Sequence, residues 1–174
     1  TTAIDANYAS QLKVTGLSSL DAALRETSIR TSLPDTEQEA MTMMTLKKGQ
    51  LNMQDYDKYA DEFIEKFPTS AFGYKEKALD LVNDSKYEEA ARMMETGIKK
   101  SAAKDEAHSN YSDIIYQKII YKGDSVYTAW TLDKALDEAR QAYAIKAQPV
   151  YKHQEARILF TKGDYADAAN IFLD

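Results

Sequence analysis

The chain has 174 residues, 44 % apolar and 29 % charged, with a net charge of −6, six glycines, three prolines and no cysteine. Such a chain can bury a sizeable core, and its scarcity of glycine and proline speaks against a sandwich dense in turns. The acidic balance, with no basic cluster denser than "LKK" or "IKK", argues against nucleic acid as a partner, and the missing cysteines exclude disulfides, thiolate metal sites and cysteine nucleophiles.

In chain order, the apolar spacing predicts helices at about 3–15, 18–32, 36–48, 53–67, 70–82, 86–100, 104–122, 126–146, 150–162 and from 165 onward. Acids gather near the starts ("DTEQEA", "KDEAHS") and lysines near the ends ("LKKG", "GIKKS", "YKG"), as the helix dipole favours. Gly16, Gly49, Gly123 and Gly163 each follow one helical pattern and precede another, and Asn83 fills the remaining slot. Glycine and asparagine tolerate the left-handed conformation that ends helices. The chain therefore reads as helix, turn, helix, five times over, in units at about 3–36, 37–70, 71–104, 105–148 and 149–174. No run of about 18 apolar residues occurs, so no membrane insertion is expected. The opening "TTAIDANYAS" lacks a charged and then apolar leader, so a secretory signal is either absent or already removed.

Two stretches nearly repeat each other: "SKYEEAARMM" at 85–94 and "GDYADAANIF" at 163–172. Each has a tyrosine, a small residue three later and a large apolar one four after that. In 71–104 these are Tyr87, Ala90 and Met94, followed by Gly97 and preceded by Ala78. In the last unit they are Tyr165, Ala168 and Phe172, preceded by Ala156. Leu132, Ala135, Ala139 and Ala142 take those places in the fourth unit. The second unit exchanges large and small at Tyr56 and Ala60 but keeps Phe63 and Pro68. The first retains only Ala22 and Pro34. Pro34 and Pro68 are 34 residues apart.

This pattern resembles the tetratricopeptide repeat (TPR) over nearly the whole chain. The resemblance implies an all-α, right-handed superhelical solenoid of about five antiparallel helix pairs. Small residues let helices approach, large ones fill the opposite side, and each pair buries its apolar face only by stacking on neighbours. It also implies a non-enzymatic scaffold that binds a protein or peptide segment in a concave groove built from the first helices. That groove would be lined by Phe72, Lys75, Leu79 and Val82, by Ser109, Asp113, Tyr116 and Gln117, and by His153, Arg157 and Phe160. Lys75 is followed four residues on by Leu79 rather than Asn, so the Lys/Asn carboxylate clamp of one TPR subfamily is missing. The stretch "FIEKFPTSAFGYKEKA" resembles unit junctions of bacterial envelope repeat proteins, which implies an extracytoplasmic bacterial setting and leaves a cytoplasmic one open. Two other functions stay open: a helical ligand- or glycan-binding domain, suggested by twelve tyrosines, and a support domain for a catalytic module outside this chain.

The candidate chemistry is sparse. His108 and His153 stand without paired ligand spacing, and no phosphate loop or dinucleotide fingerprint occurs, so no metal, cofactor or catalytic residue is expected. Asn83 and Asn110 begin short matches to the glycosylation pattern. Methionines at 41, 43, 44, 53, 93 and 94 read as core filling, with Met41 alone turned toward the groove. In the fourth unit the turn gaps on both sides of Gly123 are 40 residues, which predicts an evenly lengthened hairpin, 104–122 with 126–146. Its tip would hold Ile119, Ile120, Tyr121, Val126, Tyr127 and Trp130, either packed on one another or leaving Tyr127 or Trp130 free to anchor a partner. The last unit stops short of the length of the third and ends in apolar "NIFLD", which predicts either a fragment of a longer chain or an end covered by another molecule.

Overall fold

Acids at the first turns, lysines at the last and small residues along one face set where helices begin, end and touch. The computed structural model describes residues 32–50, 56–123 and 126–173. In chain order the helices are α1 (Glu37–Gln50), α2 (Tyr56–Lys66), α3 (Ala71–Asn83), α4 (Tyr87–Lys100), α5 (Lys104–Lys122), α6 (Leu132–Ile145), α7 (Pro149–Lys162) and α8 (Tyr165–Leu173). Among the described residues there is no strand. The helices expected at 3–15 and most of 18–32, with Gly16, Ala22 and Met53, lie outside the described residues.

The chain divides into two compact units between Phe67 and Pro68. In the first, α1 and α2 bury Ala40, Met43, Met44, Tyr56, Ala60 and Phe63. The segment leading into α1 is tied to α2: the Leu33 backbone N–H donates to Glu62 Oε1 at 2.8 Å, and Lys66 Nζ donates to the Leu33 carbonyl at 2.8 Å. Met41 is half-buried. Gly49 lies in the last turn of α1 rather than beyond it.

In the second unit α3–α4, α5–α6 and α7–α8 form three helix hairpins. The next first helix seats itself against the pair before it: α5 packs on both α3 and α4, and α7 packs on both α6 and α5. Small residues make these approaches. A Cβ added at Gly97 of α4 would stand 2.8 Å from Tyr74 Cβ of α3. Ala78, Ala90, Ala135, Ala139 and Ala156 are all fully buried, as the repeated alanines require. A common core gathers Val82, Met94, Tyr111, Ile115, Trp130, Leu136 and Ile158. Val82 therefore belongs to the core, not to a binding groove.

The two matching stretches meet their turns in register. Gly163 ends α7 in the left-handed conformation (φ 92°, ψ 4°), and the Asp164 N–H bonds the Leu159 carbonyl at 3.0 Å. After α3 the same closure uses Ser85 (φ 62°), with the Lys86 N–H on the Leu81 carbonyl at 2.8 Å. The left-handed residue is Ser85 and not Asn83, which remains the last residue of the helix. The backbone closure needs a fixed position relative to the helix end, and a serine occupies it at some strain.

The fourth unit departs from an even split. α5 has 19 residues, whereas α6 has 14, the same as α4 and α7. The extra length therefore lies in α5 and in the connection 123–131, and α6 starts at Leu132 rather than 126. The cause is local. Thr131 accepts the Lys134 N–H at 3.0 Å and caps α6 there. Just before it, Trp130 turns inward and is 2 % exposed. Its ring meets Tyr87, Tyr111 and Tyr127 edge-on at 5.8, 6.4 and 5.8 Å between centroids. Its indole N–H donates to Tyr111 Oη at 3.3 Å, and burial pushes the Tyr111 hydroxyl up to about 12. Trp130 is thus a core residue rather than a free anchor, and Tyr127 is half-buried against it. What stands exposed at the end of α5 is Ile120 and Tyr121, at 47 % and 80 %.

Candidate functional site

The first helices α5 and α7 lie side by side and parallel, because four polar contacts join them at nearly constant sequence offset. Tyr151 Oη donates to Asp105 Oδ2 at 2.9 Å, 46 residues away. Ser109 Oγ bonds Gln154 Oε1 at 2.9 Å, and Gln154 Nε2 returns to the Ser109 carbonyl at 3.1 Å, at an offset of 45. Arg157 Nη2 donates to Asp113 Oδ1 at 2.8 Å, offset 44, and Tyr116 Oη meets Thr161 Oγ1 at 3.0 Å, offset 45. The Arg157 guanidinium also lies over the Tyr116 ring, 4.5 Å from its centroid. Four rungs, three or four residues apart on each helix, form one continuous polar ladder.

Beside this ladder opens a cleft of about 220 Å³ lined by Ser109, Asn110, Asp113, Val150, His153, Gln154 and Arg157. Four residues expected at a groove, Ser109, Asp113, His153 and Arg157, come together here. Tyr116 is buried as the floor beneath Arg157. Gln117 stands at the edge and donates to Asp113 Oδ2 at 2.6 Å. Phe160 is away from the cleft, exposed, and packed edge-on against Tyr165 at 5.1 Å. On α3, Phe72 and Lys75 are half-buried and Leu79 packs on the core. Sequence reasoning missed Asn110, Val150 and Gln154. Gln154 could have been found, since it stands as far beyond Ser109 as His153 does beyond His108 (45 residues).

The electrostatics of the ladder are those of a satisfied structure. Burial raises the Tyr151 hydroxyl to about 12, helped by its bond to Asp105. On the opposite side of α7, Glu155 is 5 % exposed. Burial opposes its charge, but Lys152 at 2.8 Å and Arg140 at 2.7 Å outweigh that cost and hold its carboxyl below the usual range. Glu138 of α6 is treated alike: burial opposes its charge, while His108 Nδ1 and Lys134 Nζ both bond it and keep it ionised to lower pH. His108 thus faces α6 and serves a helix contact. By contrast, Asn110 and the His153 ring nitrogens bring polar groups into the cleft without a hydrogen-bond partner among the described residues.

A second recess of about 480 Å³ lies on the far side of His153, lined by Tyr143, Ala147, Pro149, Lys152, His153, Ile171 and Phe172. Among the described residues no group of three or more His, Asp or Glu is placed to hold a metal ion, and no helix is long and apolar enough to cross a membrane.

No protein-family model and no curated protein sequence matches the chain. Solved structures do. MamA, residues 41 to the end, from Desulfovibrio magneticus RS-1 aligns with a TM-score of 0.52 at 15 % identity, covering 88 % of this chain and 80 % of that one. The ArsTM double mutant of MamA RS-1 aligns with a TM-score of 0.51, also at 15 % identity, covering 88 % and 79 %. These likenesses are of fold: the chain has an all-α, TPR-like solenoid fold.

Proposed function

We propose that the chain is a non-catalytic protein-binding module that uses consecutive helix hairpins as one repeat array and holds an extended partner segment in the cleft between α5 and α7. The observation that carries this reading is the pairing state of the cleft. Its floor is a ladder whose side chains bond one another: Arg157 pairs with Asp113, Gln154 bonds Ser109 and Tyr151 donates to Asp105. Its rim carries Asn110 and His153, whose polar groups have no partner among the described residues.

An extended peptide displays N–H and C=O groups in alternation. A primary amide such as Asn110 offers both a donor and an acceptor, so it can answer one peptide unit in full. His153 can do either according to tautomer, and Val150 adds an apolar wall for a small side chain. The volume, about 220 Å³, is below the range of roughly 300–1,000 Å³ usual for small-molecule pockets. That favours a side chain of a longer ligand over a free small molecule or a glycan. Nucleic acid is disfavoured by the net charge of −6.

The test is a random peptide library displayed on phage and selected on the immobilised chain. Selected peptides should lose at least about tenfold in affinity for the Asn110→Ala/His153→Ala variant, while its thermal midpoint stays that of the parent. Peptides that bind the double variant unchanged would refute the cleft as the site.

A further inference from the structure

The groups lining the cleft between α5 and α7 differ in what they have left to offer. Its carboxylate and carbonyl acceptors are engaged. Asp113 Oδ1 accepts from Arg157 Nη2 at 2.8 Å, and Asp113 Oδ2 from Gln117 Nε2 at 2.6 Å. Gln154 Oε1 accepts from Ser109 Oγ at 2.9 Å, and the Ser109 carbonyl from Gln154 Nε2 at 3.1 Å. Asn110 offers a donor and an acceptor together, so it does not tip the balance. The Arg157 guanidinium does, because it carries several N–H donors and no acceptor. Among the described residues the Arg157 side chain makes a single hydrogen bond, the one to Asp113.

These spare donors are held in place. The guanidinium lies over the buried Tyr116 ring, 4.5 Å from its centroid, and Tyr116 Oη is itself tied to Thr161 Oγ1 at 3.0 Å. Even so, 43 % of the Arg157 side chain stays exposed, so a ligand can reach it. A planar fork fixed in this way loses little further freedom on pairing, and its shape matches a carboxylate. Charge narrows the choice further. Asp113 shares the cleft with Arg157. A phosphate, with about −1.5 to −2 charge, would stand against that carboxylate, whereas a ligand carboxylate brings a single charge. Arg157 follows His153 by four residues, about 6 Å along α7 at 1.5 Å per residue. An acidic side chain spans that distance from a backbone held at Asn110 and His153.

We infer that Arg157 sets the specificity of the cleft: it takes the side-chain carboxylate of an internal glutamate or aspartate of the partner segment, through N–H groups that Asp113 leaves unused. This role rests on the reading of the cleft as a peptide site, and it names the side chain that fills it. The carboxylate belongs to a residue within the segment, not to the chain end that a Lys/Asn clamp grips.

The probes are the phage-selected peptides, which should share an Asp or Glu at one position. Each is synthesised with a fluorescein-blocked N-terminus and an amidated C-terminus, once with that acid and once with Asn or Gln in its place, and titrated by anisotropy. The exchange of acid for amide should cost at least about tenfold against the parent chain and less than about twofold against Arg157→Gln. If circular dichroism shows that Arg157→Gln has lost helicity, Arg157→Lys replaces it, and there the cost should shrink at least about threefold, since lysine keeps the charge and loses the fork. The absence of a shared acid, or a cost equal in parent and variant, overturns this role of Arg157. So does a phosphoserine peptide that binds more tightly than its glutamate counterpart. An amide peptide that regains full affinity through a free C-terminal carboxylate gives Arg157 to a chain end and overturns it as well. Peptides that need Asn110 and His153 but gain nothing from an acid remove this role and leave the peptide cleft standing. Peptides indifferent to Asn110→Ala/His153→Ala, or a selection that yields none, remove both.

Discussion

Tyr87 and Tyr165 open the second helix of their hairpins at equivalent positions, yet one is partly buried and the other 62 % exposed. Tyr87 meets Trp130 edge-on at 5.8 Å, and Lys118 of α5 lies 5.8 Å from its ring. Tyr165 meets only Phe160, itself exposed, among the ring contacts of the described residues. The sequence motif is the same, and so is the turn that precedes it. The difference lies in the covering elements: α5 and Trp130 close over the first hairpin, and no described element covers the last. A repeat position thus carries a preference for burial, which a neighbour then fulfils or leaves open.

The largest test removes the cover. Trp130→Ala should cost about 3–5 kcal/mol, because a fully buried indole leaves a cavity among three tyrosines. It should also raise the quencher accessibility of the cluster, and denaturant melts give the stability directly. A loss below about 1 kcal/mol would mean that Trp130 does not close the α3–α4 hairpin.

Next comes overpacking at the shared small position. Ala90 and Ala168 are 0 % and 2 % exposed. Ala90 belongs to a pair closed by α5, whereas Ala168 lies in the open last pair. Ala90→Leu should cost about 1–3 kcal/mol in thermal or urea unfolding, and Ala168→Leu visibly less, since α8 has room to shift outward. Equal losses would show that the last hairpin is as constrained as the α3–α4 pair.

The smallest test concerns the turns that set the register. Ser85 adopts φ 62°, where an L-residue is strained and glycine is not. Ser85→Gly should stabilise by up to about 1 kcal/mol, and Gly163→Ser should destabilise by a similar amount. A destabilising Ser85→Gly would show that the 3.4 Å contact between Tyr87 Oη and Ser85 Oγ outweighs the strain.

Much of the fold was legible because it is local. The alanine spacing, the acids at helix starts and the recurring turn residues each act within one or two turns of chain, and they placed α3, α4, α5 and α7 within a few residues. The candidate site was legible in part. Ser109, Asp113, His153 and Arg157 share a face at helical spacing, and they do meet at one cleft. Asn110 and Val150 were not legible as lining residues, because the lateral register of α5 against α7 depends on how whole hairpins stack. His108 illustrates the same limit: its neighbour Glu138 is 30 residues away, on a helix that starts at Leu132 rather than at the expected 126.

By itself the sequence determined that this chain forms helical hairpins, where small residues let their helices touch, and which tyrosines mark equivalent positions. Those are properties of periodicity and local conformational preference, fixed before any long-range contact forms. Only the tertiary structure decided that Trp130 lies inside, that Ser85 rather than Asn83 takes the left-handed turn, and that Phe160 and Phe172 stay outside while Val82 and Met94 do not. Burial is a relation between a side chain and whatever packs over it, and for these residues the covering element, or its absence, is set by segments distant in sequence.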